Sequence, residues 1–113
     1  MVSQLPGDIR FHDVSDTQLA VGNAKVTVRS VPHVGNTNGY RVDWDGVSVA
    51  YISDHQSPQL GESEGVSIAD SVLELAQGVD VLIHDAQYWP GEWRMKNDWG
   101  HCTVDYAVHV ARV

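Results

Sequence analysis

Apolar and polar positions alternate along the first half of the chain and then change period. Residues 19–21 and 25–31 are short strand-like runs separated by Gly22 and Asn23, a pair suited to a tight turn. In the second run Val26 and Val28 alternate with Lys25, Thr27 and Arg29, which predicts a strand with one wet face. After a loop over 32–38, Tyr40, Val42 and Trp44 share a face, and Asp45-Gly46 joins them to a run over 47–52. An Asp-Gly pair between two alternating runs predicts a hairpin. Further on the spacing becomes helical. Ala69, Val72, Leu73 and Ala76 fall at i, i+3, i+4 and i+7, with Ser67 as candidate N-cap and Gly78 at the stop. Residues 79–83 form a short apolar run of the kind found in a strand covered on both faces. A loop from His84 to Gly100 follows, and then Val104, Ala107, Val108 and Ala111 repeat the helical spacing behind Thr103, a candidate N-cap. No Gly, Asn or Pro closes that second helix, so its pattern reads as interrupted. The expected fold is α/β, a mixed sheet with hairpins followed by two helices, in one unit spanning 1–113.

Composition narrows the function. A chain of 113 residues suits one domain with a modest core. The formal charge of −8 argues against a phosphate-backbone binder that relies on this segment's own cations. One cysteine, Cys102, excludes an internal disulfide and a four-cysteine zinc site. The N-terminus lacks a signal-like apolar run and no stretch reaches the roughly 18 apolar residues of a membrane span, so a soluble cytoplasmic protein is expected.

The candidate chemistry lies where strands end. His33 follows the run over 25–31, Asp54 and His55 follow that over 47–52, and His84 and Asp85 end that over 79–83. Loops beyond strand C-termini gather side chains from different strands, and imidazole and carboxylate groups are the ligands of zinc and manganese. The same positions also suit loop and turn hydrogen bonding, which the residues alone leave open. His55 is expected beside such a site or solvated, and Cys102 as an inert small residue. His12 and His109 are expected at the surface, and the loop holding Trp89, Trp93 and Trp99 packed on the helices.

Val31-Pro32-His33, Gly39-Tyr40-Arg41-Val42, Ala50-Tyr51-Ile52-Ser53-Asp54-His55, Leu82-Ile83-His84-Asp85-Ala86-Gln87-Tyr88 and Gly100-His101-Cys102-Thr103 follow one another in an order that resembles the second half of the metallo-β-lactamase superfamily. Within it, the branch of transfer-RNA 3′-processing endonucleases and cyclic-nucleotide phosphodiesterases is most similar. The resemblance implies one βα half of an αββα sandwich and a metal-dependent hydrolase that cleaves phosphodiesters by a metal-bound hydroxide. It makes His33 a metal ligand and Asp54 the carboxylate bridging two zinc ions, with manganese the alternative. It makes His101, Asp85 and His84 catalytic. Asp85 stands where the endonucleases have Glu, and Cys102 stands in the Ser position of a His-Ser-Thr motif. The family's His-x-His-x-Asp-His cluster has no counterpart in this chain. The resemblance therefore implies a partial domain, truncated at both ends and inactive alone. A small-molecule phosphodiester is the expected substrate, with nucleic acid second. A homo-oligomer packed through the sheet is expected, because a half-sandwich exposes an apolar face around Val47, Val49 and Tyr51. The alternative is a non-enzymatic or degenerate interaction domain.

Overall fold

The computed structural model describes residues 7–58, 67–96 and 98–113. Its elements run β1 (Gln18–Val21), β2 (Ala24–Ser30), β3 (Asn38–Trp44), β4 (Val47–Ile52), α1 (Asp70–Ala76), β5 (Val81–His84), α2 (Pro90–Trp93) and α3 (Val104–Val110). The strands form one sheet in sequence order. β1 to β4 pair antiparallel and β5 joins β4 in parallel, so the sheet is mixed as expected. The β3–β4 hairpin turns on Asp45 and Gly46, both with positive φ (50° and 77°), the conformation that a two-residue type I′ turn needs.

The register sorts the side chains into two faces. Thr27, Arg41, Ala50 and Leu82 form a row across the sheet on one face, and Val26, Val42, Val49 and Val81 form a row on the other. The first face is the covered one. Val31, Ile52, Val72, Leu75, Ala76, Cys102, Tyr106 and Val110 make the core between the sheet and α1 and α3, with Leu82 packed against it. Burying each of the larger aliphatic side chains contributes about 1.5–3 kcal/mol. Gly39 leaves space for α1 to approach, since a Cβ there would stand 2.6 Å from Leu75 Cδ1.

Polar side chains of this covered face reach the helix edge instead of water. Arg29 donates to both Glu74 oxygens (2.7 and 2.5 Å), and Arg41 Nη1 donates to the Gln77 carbonyl at the end of α1 (2.8 Å). The expectation of a wet face on β2 is thus corrected, because Thr27 is buried and α1 packs over this side. The bare face is the apolar one: Val42, Trp44, Val47, Tyr51, Val81 and Ile83 are all exposed, Trp44 at 60% and Ile83 at 50%, while Val28 on the same face is buried. β5 is correspondingly an edge strand open on one face, not a strand covered on both.

Two terminal details differ from expectation. α1 has Ala69 at its N-cap with no side-chain cap, because its first turn closes on the Ala69 carbonyl two residues beyond Ser67. The stretch 84–100 contains α2, whose start Trp89-Pro90 places proline in the first turn and lets Glu92 Oε2 accept from the Trp89 amide at 3.0 Å. Thr103 does cap α3, accepting from the Tyr106 amide at 3.2 Å. No helix among the described residues is long and apolar enough to cross a membrane.

Candidate metal centre

β2, β4 and β5 run in the same direction, so their C-terminal ends share one edge of the sheet. His33 leaves β2, Asp54 leaves β4 and Asp85 follows β5, while the segment before α3 delivers His101 to the same edge. Backbone hydrogen bonds fix these loops to one another: Gln56 N–H to the Pro32 carbonyl (2.7 Å), Asp85 N–H to the Ile52 carbonyl (2.8 Å) and Tyr88 N–H to the Cys102 carbonyl (3.1 Å).

One ligand atom from each of His33, Asp54 and His101 lies within 4.8 Å of the others, all three residues being partly exposed. The His33 and His101 rings meet edge-on with centroids 5.8 Å apart. Gly100 allows this approach: its φ is +87°, and a Cβ on it would stand 2.8 Å from His33 Nε2. Behind His101 sits the buried carboxylate of Asp85, whose Oδ2 is 2.6 Å from His101 Nδ1. The same carboxylate accepts from the His55 amide (3.2 Å) and the Gln87 amide (3.1 Å). A carboxylate only accepts, so His101 carries its proton on Nδ1 and turns Nε2 toward the open side.

The donor set fits a divalent ion in kind. Two imidazoles and a carboxylate are the donor types of three-ligand zinc sites, in which the ligands stand about 2.0–2.2 Å from the ion. His33 must adjust. Its Nδ1 accepts from the Gly35 amide (3.2 Å), which in the neutral ring leaves the proton on Nε2 and requires a tautomer change for ligation there. Asp54 is held from one side by the Ser53 hydroxyl, which donates to Oδ2 at 2.9 Å.

His84 is not brought into this group. Its Nδ1 lies 2.6 Å from the Asp85 carbonyl oxygen, and its ring turns inward beside His55, centroids 5.3 Å apart. His55 is completely buried, with Nδ1 on the Pro32 carbonyl (3.1 Å) and Nε2 near the Tyr106 hydroxyl (3.3 Å). Burial depresses its pKa to about 4 against the partly opposing Pro32 hydrogen bond, and burial lowers that of His84 as well. Burial raises the Cys102 thiol and the Tyr106 phenol. Cys102 is buried, in keeping with an inert small residue, whereas His55, expected beside the site or solvated, is core, and Tyr106 was not singled out; no local pattern marks His55 or Tyr106 as buried. Trp93 is buried, whereas Trp89 and Trp99 are exposed. Lys96 Nζ stands 5.0 Å over the Tyr88 ring and 5.7 Å from that of Trp99.

The crystal structure of human tRNase Z, short form, shares this fold: TM-score 0.62 at 22% identity, covering 83% of this chain and 33% of that one. The chain thus spans about a third of that relative's length. No curated protein matches the chain. Residues 4–113 match the family described as the beta-lactamase superfamily domain. With its mixed sheet, one helical layer and His and Asp residues gathered at the strand ends, the chain belongs to the beta-lactamase superfamily, a family of metal-dependent hydrolases.

Proposed function

We propose that this chain carries one part of the metal centre of a phosphodiester hydrolase. The observation that supports the reading is the convergence of His33, Asp54 and His101 within 4.8 Å at the sheet edge. His33 and Asp54 would hold the ion, zinc first and manganese second, and Asp54 has the second oxygen needed to bridge to another. A bound ion supplies a hydroxide nucleophile near neutral pH and polarises a phosphoryl oxygen. Asp85 orients His101 through Nδ1, and His101 Nε2 is the proton donor for a leaving oxygen when the ring is protonated. His84 takes a supporting place behind Asp85. Trp89, Trp99 and Lys96 offer apolar and cationic surface near the site.

A dinuclear centre needs more ligands than His33 and Asp54 supply. We therefore read residues 1–113 as one partial domain, inactive alone and completed in the whole protein by ligands held elsewhere. A small phosphodiester is the preferred substrate and nucleic acid the second, because the formal charge of −8 places no excess of phosphate-binding cations on this chain. The same partial character favours association through the bare face, and two copies pairing there would bury the row from Trp44 to Ile83. A non-enzymatic domain is the rival, favoured by the count of donors.

Titration calorimetry with zinc and turnover of bis(p-nitrophenyl) phosphate by the whole protein test the reading. Asp54→Ala and His101→Ala should each lower turnover by at least about a hundredfold, the scale of losing a proton-transfer group. Turnover in both variants equal to that of the unaltered protein would remove Asp54 and His101 from the chemistry, and no turnover by the unaltered protein would favour the non-enzymatic reading.

A further inference from the structure

The side chains that alternate with those of the candidate centre form a second cluster beneath it. His55 adjoins Asp54, His84 adjoins Asp85 and Cys102 adjoins His101, and extended backbone turns neighbours to opposite sides. One ligand atom from each of His55, His84 and Cys102 again lies within 4.8 Å of the others. His55 and Cys102 are fully buried.

Backbone carbonyls set both imidazoles in one tautomer. His55 Nδ1 is 3.1 Å from the Pro32 oxygen and His84 Nδ1 is 2.6 Å from the Asp85 oxygen. A carbonyl only accepts, so each ring holds its proton on Nδ1 and presents an Nε2 lone pair. Metal-bound histidines show this same arrangement, the far nitrogen tied to a carbonyl or carboxylate. His84 Nε2 is buried and has no hydrogen-bond partner among the described residues, an atom that natural folds rarely leave unpaired. Among the described residues His55 Nε2 has the Tyr106 hydroxyl at 3.3 Å, and the Cys102 thiol donates to the His55 carbonyl at 2.7 Å beside the Ser57 backbone.

We propose that His55 Nε2, His84 Nε2 and Cys102 Sγ form a buried structural site for one zinc-class cation, distinct from the His33–Asp54–His101 centre. A thiolate with two imidazoles selects zinc, cobalt(II) or copper(I) over magnesium, calcium and manganese. On binding, the Cys102 thiol loses its proton to solvent and its hydrogen bond to the His55 carbonyl, and sulfur and both Nε2 atoms donate to the ion. The ion ties the ends of β4 and β5 to the segment entering α3. The site stands whether or not the centre above it hydrolyses phosphodiesters.

Cobalt(II) titration of the metal-free protein tests it. A thiolate-to-cobalt charge-transfer band in the near ultraviolet is expected, persisting in His33→Ala and Asp54→Ala and disappearing in Cys102→Ser. His84→Phe, which keeps the ring bulk, should weaken cobalt binding read from that band at least tenfold. X-ray absorption of zinc-loaded Asp54→Ala should show one sulfur at about 2.3 Å. That measurement leaves Cys102 untouched, so it decides the question even where Cys102→Ser does not fold. Absence of the band in the unaltered protein, or a zinc shell of nitrogen and oxygen alone in Asp54→Ala, overturns the proposal.

Discussion

Asp85→Asn probes the joint on which His101 depends while changing almost no volume. The Asp85 carboxylate is buried and accepts three N–H groups: His101 Nδ1 at 2.6 Å and the His55 amide at 3.2 Å on Oδ2, and the Gln87 amide at 3.1 Å on Oδ1. Asparagine keeps one accepting oxygen and puts a donor where the other was. With that oxygen on Gln87, the new amide nitrogen faces the His55 N–H, donor against donor, and forces His101 to move its proton to Nε2. With the amide reversed, the Gln87 N–H loses its acceptor instead. Either orientation strands one backbone N–H beside a buried group, which costs about 1–3 kcal/mol. In a domain near 100 residues that is a fall in Tm of roughly 4–8 °C for each kcal/mol. Thermal unfolding followed by circular dichroism reads the stability, and nitrogen-15 shifts of His101 in mildly alkaline solution read the tautomer. A variant within about 0.5 kcal/mol of the parent, the range of an inconsequential surface change, with His101 still protonated on Nδ1, would refute the joint role of Asp85.

Acid should destabilise the fold before its carboxylates titrate: burial holds the His55 pKa at about 4 against 6.5, so the folded chain binds fewer protons than the unfolded one in between. Stability is then full above about pH 6.5 and falls toward pH 4 by up to about 3 kcal/mol, His84 adding in the same direction, and a flat calorimetric profile over that window would contradict it. Gly39→Ala places a Cβ 2.6 Å from Leu75 Cδ1 and 3.2 Å from Val31 Cγ1, so denaturant unfolding should show a loss of about 1–3 kcal/mol. If copies pair through the bare face as proposed, Ile83→Lys puts a charge there and should weaken that association in light scattering at least tenfold, about 1.4 kcal/mol; an unchanged association constant, or a parent that is monomeric throughout, would remove that face as a contact.

The elements were legible where a few adjacent residues determine them. Asp45-Gly46 suffices for the turn, the spacing of Ala69, Val72, Leu73 and Ala76 for α1, and Thr103 for the start of α3. That His33 and Asp54 come to one edge was legible because position after a strand, combined with shared strand direction, brings side chains together; His101 follows no strand and was pointed to only by the family resemblance. Which face is covered was not. A period of two says that β2 has two faces, and the mixed polar row of Lys25, Thr27 and Arg29 looks like the wet one. α1 lies on it all the same, because Gly39 opens the space and Arg29 finds Glu74, forty-five residues on. α2 carried a signal in Pro90 and Glu92 that the aromatic residues around it obscured. His55 carried none, since its burial depends on Tyr106 and Cys102 arriving from the far end of the chain.

Register is what separates the two clusters at this edge. Asp54 and His55, and His101 and Cys102, are chain neighbours, so a slip of one residue in either segment would exchange an outer group for an inner one. A slip in the β4 end would drive the Asp54 carboxylate among His84, Cys102 and Tyr106, and an unpaired buried charge is strongly destabilising. The opposite error would bring Cys102 out and leave the core pocket above Val110 and Ile52 short of a side chain. Backbone bonds oppose each slip. Asp85 N–H on the Ile52 carbonyl fixes β5 against β4, and the exchange of Tyr88 N–H with the Cys102 carbonyl (3.1 Å) and Val104 N–H with the Tyr88 carbonyl (2.9 Å) fixes the entry to α3. Asp85 then reads that register from both sides, holding a main-chain amide next to Asp54 and the ring of His101 on one oxygen. The spacing of the outer donors is thus a property of the backbone ladder and of one buried carboxylate, and the exposed side chains need little restraint of their own.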